Sequence, residues 1–333
     1  MASLEVLLLK GPPAGDLETG LNQLRYAVLT EGINANSDGM SESRIYIWLI
    51  LLNAPPLDHK VYVDLVRQGA SPAHTKIQND TFRTFQGDPL FRRRVTQNSI
   101  TRVLNAVAWR LNDAHEARVN GWQSPPTLSE FGGSPDTSML SRHSFTTGAR
   151  TDTSTTNDAE QIGYVQGMNV LAGPFLYAAR SEVEAFTGFE SLIRHELPGY
   201  VRGSMEGVHK GLALVDRVLK VVDPKLYAHL MSSNMEAKIY AFASVLTLSA
   251  CTPPLPEVLL LWDFLFAYGP HLNILCIVAQ LVLIRDQILG SPSPNQILRN
   301  LPNLYAAKII QLATTFAAKI PEDMFEEIVN HAK

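Results

Sequence analysis

The sequence predicts an all-α protein, and three observations carry that prediction. Apolar residues recur at spacings of three and four in the dense hydrophobic stretches, alternating strand patterns are scarce, and proline and glycine mark short turns between the periodic segments. With 333 residues and 46% hydrophobic content, the chain is long enough for one large domain or two lobes that share a core.

Taken in order, the first dense tract is IYIWLILL at 45–52, which pairs with a later one, NILCIVAQLVLI at 273–284. Both fall well below the roughly 20 residues that a bilayer span needs, so both are expected as buried helices. In ITRVLNAVAWRL, residues Ile100, Val103, Leu104, Val107 and Leu111 form the stripe of an amphipathic helix. From about 113 to 161 the chain becomes dense in Ser, Thr, Gly and Pro, and a mobile loop is expected there. Its Ser124-Pro125 and Ser134-Pro135 pairs, like Ser291 and Ser293 further on, read as turn residues or as phosphate acceptors. In GYVQGMNVLAGPFLYAA at 163–179, residues Met168, Val170, Leu171, Ala172, Phe175 and Leu176 predict a helix buried almost all round. Leu214, Val218, Leu219 and Val222 share the face of another helix, which Pro224 should end. Near the C-terminus Ser293-Pro294 offers an N-cap with proline at the first helical position, and Pro321 with two acids marks a last helix start.

Composition narrows the function classes. A net charge of -4 argues against nucleic-acid binding, because neutralising phosphates needs a clustered basic excess, and only the run FRRRV is locally basic. The two cysteines, Cys251 and Cys276, lie in apolar surroundings and outside any CxxC pattern, which predicts buried thiols in a reducing compartment. The start MASLEVLLLKGPP has no basic n-region and carries Ala2 where myristoylation needs glycine, so an intracellular protein without leader or lipid anchor is expected. The sequon Asn79-Asp80-Thr81 should then be silent. No phosphate loop, GxGxxG, HExxH or GxSxG is present, and His195-Glu196 alone lacks metal-ligand spacing.

Two arrangements of polar residues remain, both embedded in hydrophobic helices: IQNDTFRTF at 77–85 and YVQGMN at 164–169. Asp80 precedes Arg83 by three residues, so one helical turn lets its carboxylate hold the guanidinium. Gly167 follows Gln166 and permits another surface to approach the backbone closely. Two readings stay open on spacing alone. Arg83 and Asp80 form an ordinary surface bridge beside a buried network around Tyr164 and Gln166, or the two segments form a site.

Ile77-x-x-Asp80-x-x-Arg83-Thr84, followed by Tyr164-x-Gln166-Gly167-Met168-Asn169, resembles the two signature motifs of the TBC domain, the GTPase-activating module for Rab-like small GTPases. Arg44-Ile-Tyr-Ile-Trp48-Leu-Ile-Leu51 resembles its opening R-x-x-x-W-x-x-L motif, and Leu261-Trp262-Asp263 with Gly269 resembles its later W-D segment. The resemblance runs from about residue 20 to 300. It implies a single TBC domain over 1–333, with an N-terminal lobe to 180 that carries both motifs and a C-terminal helical lobe from 181. Within it, TFRTFQGDPLFRRRV and GYVQGMNVLAGPFLY are most similar to fungal spindle-position checkpoint GAP subunits, which restrain mitotic exit or septation.

The resemblance also assigns roles. Arg83 would enter the partner's active site as an arginine finger, and Gln166 would orient the attacking water. Guanidinium is permanently charged and forks onto phosphate oxygens, and an amide can accept from water while donating to phosphate. Asp80 would orient Arg83, Thr84 would be a supporting or interface residue, Gly167 would permit close approach, Tyr164 would pack under the glutamine turn, and Asn169 would tie the two motifs together. Arg44 and Trp48 are expected to brace the finger loop or line the interface rather than perform chemistry, and Trp262 and Asp263 to serve core and helix capping; for all four a purely structural role is the favoured reading. The chain would need no cofactor or metal of its own, since the partner GTPase holds GTP and Mg²⁺. A scaffold subunit is a further expected partner, and the expected location is cytoplasmic, with access to the spindle pole body through that partner. Gln86 stands where the family commonly has proline and is expected to loosen the turn that carries Arg83. The competing expectation is a non-catalytic module that grips a GTPase or scaffold with the same face, and an α-solenoid is disfavoured by the lack of a repeat period.

Surface insertions close at modest entropic cost. Deleting residues 118–158 is therefore expected to leave a folded, GTPase-binding protein; global unfolding of that variant by circular dichroism would place the segment in the core.

Overall fold

Polar caps and prolines cut this chain into short helices. The computed structural model describes residues 4–11, 15–119 and 163–333, and no β-strand occurs among the described residues. The N-terminal half holds α1 (Leu4–Lys10), α2 (Leu17–Glu31), α3 (Arg44–Leu51), α4 (His59–Arg67), α5 (His74–Thr81), α6 (Pro89–Arg94) and α7 (Gln97–Val119). Then come α8 (Met168–Ala178), α9 (Glu182–Ser191), α10 (Pro198–Val201), α11 (Glu206–Val222), α12 (Pro224–Ser232), α13 (Ala237–Tyr240) and α14 (Phe242–Leu246). The chain continues with α15 (Leu255–Tyr268), α16 (Asn273–Leu283), α17 (Arg285–Gly290), α18 (Pro294–Arg299), α19 (Ala306–Ala317) and α20 (Glu322–Asn330).

The local chemistry of the boundaries is visible. Asp16, Asp58 and Asp88 accept from backbone N–H groups at the starts of α2, α4 and α6. Ser181 and Glu184 close a capping box on α9. As expected, the helix carrying Leu214, Val218 and Leu219 stops before Pro224: Asp223 accepts from the Leu226 N–H at 3.0 Å, and Pro224 opens α12. Residues 113–119, expected as the start of a mobile loop, are helical instead, because α7 runs on to Val119; Ala, Glu and Arg in this polar stretch favour a helix, and Asn112 Nδ2 donates to Glu116 Oε1 at 2.8 Å. The remainder of that segment, with Ser124-Pro125 and Ser134-Pro135, lies outside the described residues.

The two dense apolar tracts are α3 and α16, and no helix among the described residues is long and apolar enough to cross a membrane. α16 is buried along almost its whole length, whereas α3 buries Ile45, Ile47, Trp48 and Leu51 and leaves Tyr46 and Ile50 exposed. Around α15 gather α2, α3, α8 and α19, while α16 packs on α11 and α19. One cysteine expectation fails: Cys276 is buried, and burial pushes its thiol up, but Cys251 is exposed on the turn between α14 and α15.

An aromatic cluster ties these layers together. Trp48 of α3 meets Phe175 of α8 at 5.6 Å between ring centroids, Trp262 of α15 at 5.7 Å and Phe266 at 5.2 Å. Each such ring buries about 150–250 Å², worth on the order of 4–6 kcal/mol. That outweighs the helix penalties inside α8, where Gly173 costs about 1 kcal/mol and Pro174 about 3 kcal/mol. Phe175 therefore fixes α8 in place despite its weak local sequence.

Arg44, Trp48 and Asp263 belong to this core, as the structural reading of them has it, and the interface role for Arg44 and Trp48 and the capping role for Asp263 are corrected. Arg44 is 1% exposed; its Nε donates to Asp263 Oδ1 at 3.0 Å, its Nη2 to Oδ2 at 3.0 Å, and its Nη1 to the Gly39 carbonyl. Trp48 Nε1 donates to Asp263 Oδ1 at 2.8 Å. Neither residue braces the finger turn or lines a surface. Asp263 lies within α15, not at its cap, and joins that helix to α3. Burial pushes its carboxyl up to about 6 against the pull of Arg44, so at neutral pH it is still the counterion of the guanidinium.

Removing one partner of a buried pair strands the other charge, at about 3–5 kcal/mol. Asp263→Asn is expected to lower stability by that amount in chemical denaturation, and Arg44→Met combined with Asp263→Leu to recover much of it. A loss below about 1 kcal/mol in Asp263→Asn would mean that the pair does not hold α3 to α15.

Candidate functional site

The first motif sits where α5 ends. Ile77, Asp80 and Thr81 face inward, and the chain then leaves the helix through a run of turns over residues 82–87. The Arg83 N–H still donates to the Asp80 carbonyl at 3.2 Å and the Thr84 N–H to the Thr81 carbonyl at 3.2 Å, so the turn continues the winding of α5. Asp88 then starts α6 by accepting from the Leu90 and Phe91 N–H groups. Below, α7 steadies the helix start: Asn105 accepts from the Ser71 N–H at 2.9 Å and lies within hydrogen-bond distance of His74.

The second motif sits where α8 begins. Gly167 occupies the N-cap with φ 109, a left-handed conformation, and a Cβ there would lie 2.6 Å from Leu246 Cδ2. The backbone thus requires glycine, and a Cβ would also press on the Leu246 side chain. Gln166, one residue earlier, is exposed.

Two side-chain hydrogen bonds join the motifs across 84 and 85 residues of sequence. Tyr164 Oη donates to Asp80 Oδ2 at 2.7 Å. Asn169 Nδ2 donates to Thr84 Oγ1 at 2.9 Å, while Asn169 Oδ1 accepts from the Gly167 N–H at 3.1 Å. Thr84 Oγ1 in turn donates to the Asp80 carbonyl at 3.0 Å. Burial pushes the Tyr164 hydroxyl up, and the neighbouring Asp80 carboxylate adds to that, so Tyr164 stays a proton donor at physiological pH.

Asp80 is 4% exposed, and its second oxygen accepts from Arg83 Nη2. The Arg83 side chain itself is 54% exposed. The arrangement is a buried, fully partnered frame of Asp80, Thr84, Tyr164 and Asn169, with a guanidinium and an amide on exposed positions beside it. Of the expected site residues, it brings together Asp80, Arg83, Thr84, Tyr164, Gln166, Gly167 and Asn169, and leaves Arg44 and Trp48 in the core. Spacing gave no sign of Asn105 or His74, because a lone Asn or His within a helix reads as surface until its partner is placed. Among the described residues no cluster of three or more His, Cys, Asp or Glu side chains is placed to hold a metal ion.

Comparison with known proteins adds the family. The Rab-GTPase-TBC domain matches residues 154–289, a span that holds the Tyr164–Asn169 motif but not Arg83. The chain is 40% identical to cell division control protein 16 of Schizosaccharomyces pombe, over 94% of this chain and 88% of that protein. It is 36% identical to the mitotic check point protein BUB2 of Saccharomyces cerevisiae, over 99% of this chain and 97% of that one. In structure it is similar to the Ypt/Rab-GAP domain of Gyp1p, with a TM-score of 0.64 and 17% identity over 94% of this chain and 95% of that chain. A flagellar RabGAP TBC domain from Chlamydomonas aligns with a TM-score of 0.59 at 17% identity, over 98% and 87%. The all-helical fold is that of these domains.

Leaving a buried polar group without its partner costs about 1–3 kcal/mol. Tyr164→Phe strips one donor from Asp80, and Asn169→Ala breaks the link to Thr84; each is expected to lower stability by that amount in urea denaturation. Two variants as stable as the parent would mean that the frame does not join the motifs.

Proposed function

The chain belongs to the TBC-domain family, and from that premise we propose that it accelerates GTP hydrolysis on a Rab- or Ras-like small GTPase in the control of mitotic exit or septation. The observation that carries this reading is the shared frame: one set of hydrogen bonds seats the Arg83 turn and the Gln166 turn side by side, with both functional side chains exposed.

In the proposed mechanism the GTPase supplies GTP and Mg²⁺, and this chain supplies two groups in trans. The Arg83 guanidinium leaves Asp80 and forks onto the oxygens of the transferred phosphoryl group, where negative charge develops. The Gln166 amide accepts from the attacking water and donates toward phosphate, which fixes the line of attack. Asp80 holds Arg83 until the partner arrives, and Gly167 lets the partner's surface approach the backbone. An arginine finger in trans contributes roughly 10³ to 10⁵ in rate, or about 4–7 kcal/mol of barrier. The names of the two relatives, a cell division control protein and a mitotic check point protein, support placement in cell-cycle control. A scaffold subunit that brings this cytoplasmic chain to its GTPase at the spindle pole completes the proposal.

The test is single-turnover hydrolysis by a panel of Rab-like and mitotic-exit GTPases, with wild type, Arg83→Ala and Gln166→Ala, each with and without candidate scaffold subunits. Arg83→Ala is expected to lower the activated rate by at least about 10³ while binding persists. Binding without acceleration by wild type under every condition would instead make the chain a non-catalytic module that grips the GTPase.

A further inference from the structure

We infer that Phe85 is a positioning residue for the arginine finger and that Gly173, on the other motif's helix, is the seat that receives it. The inference rests on the proposed role of Arg83 and deepens it. Phe85 lies two residues after Arg83 and has φ 48, a left-handed conformation that a residue with a large side chain rarely adopts. Such a conformation persists only where the surroundings over-determine it, so something must hold the ring.

Two surfaces do. On one side is Phe91 of α6, 2% exposed, with its ring centroid 4.8 Å from that of Phe85. On the other is the backbone of α8: a Cβ added to Gly173 would lie 2.3 Å from Phe85 Cε2 and 2.9 Å from Cδ2. A helix-interior glycine is unfavourable by propensity, and here its missing side chain is the space that the ring occupies. The turn is closed on its far side by the Asp88 N–H donating to the Phe85 carbonyl at 3.0 Å.

Gln86, which replaces the proline common in the resembling family, is exposed. The conformational restriction that proline would give is supplied instead by a ring wedged between two helices. The Gly167–Asn169–Thr84 hydrogen bonds fix the turn on one side of Arg83's neighbour, and the Phe85–Gly173 contact fixes it on the next residue. Both anchors belong to α8, the helix that starts beside Gln166, so the same element registers the two fingers against each other. A displacement of about 1 Å in a catalytic group can cost about 10²-fold in rate.

The experiment compares wild type, Gly173→Ala, Phe85→Leu and the double variant on whichever GTPase of the panel the wild type accelerates. Maximal single-turnover rate and half-saturating concentration are measured separately, with thermal unfolding and amide hydrogen exchange alongside. Gly173→Ala is expected to lower the maximal rate at least about tenfold, to leave half-saturation within about twofold, and to speed exchange over residues 82–88 but not in α9 or α15. The double variant, whose smaller side chain clears the added methyl, is expected to regain a substantial part of that rate, a coupling that independent effects would not give. An unchanged rate and unchanged exchange in Gly173→Ala would overturn the inference, as would a double variant no better than the product of the single ones. Global loss of protection in Gly173→Ala, with no rescue, would make the contact one of general packing and overturn it too. If wild type accelerates no GTPase, the proposed function falls, and the exchange data still decide whether Gly173 seats the turn.

Discussion

A carboxylate that is almost out of solvent must be paired on both oxygens or lose its charge, and Asp80 is the point where this chain meets that demand. One oxygen takes the Tyr164 hydroxyl and the other the Arg83 guanidinium. The two donors come from segments 84 residues apart or three residues apart, so satisfying one buried acid forces the two turns together. The Thr84 to Asn169 bond then locks the register of that approach. Beneath the frame, the aromatic cluster around Trp48 and Phe175 holds α8 steady enough for its first residues to act as a fixed edge.

Much of the fold was legible because its signals are local. The stripe Ile100, Val103, Leu104 and Val107 is the buried face of α7, and Pro224 separates two helices as its fixed φ and missing donor require. Residues 113–119, expected as loop, are the opposite case: they are polar enough to read as coil, yet their composition tolerates helix and a long preceding helix needed no new nucleus to continue.

The site was legible in part. Asp80 and Arg83 sit one turn apart, so their pairing follows from spacing; the Tyr164 to Asp80 bond does not, because nothing local reports a contact between distant turns. The partner of Arg44 and Trp48 was hidden for the same reason. An arginine and a tryptophan at the start of a helix leave an interface and a core role open until a buried partner is found, and that partner, Asp263, lies 219 residues from Arg44. Gly173 carried a faint signal: a glycine beside a proline inside an apolar helix contradicts local propensity, and such contradictions mark places where something else must fit.

The bridge between Arg83 and Asp80 raises the question of whether the arginine is free to act. A hydrogen bond to a charged group is worth about 1–3 kcal/mol, and here one partner is half in water, where screening weakens it. A finger in place contributes about 4–7 kcal/mol to the barrier, so exchange of the carboxylate for phosphate oxygens is favourable overall. What decides the matter is the acid left behind. Were Arg83 its only partner, its departure would strand a buried charge, at several kcal/mol, and cancel most of the gain. Tyr164, whose hydroxyl stays protonated, remains bonded to Asp80 after the arginine leaves. In the proposed mechanism the tyrosine thus keeps Asp80 partnered when the bridge breaks, and the surface bridge and the finger are two positions of the one Arg83 side chain.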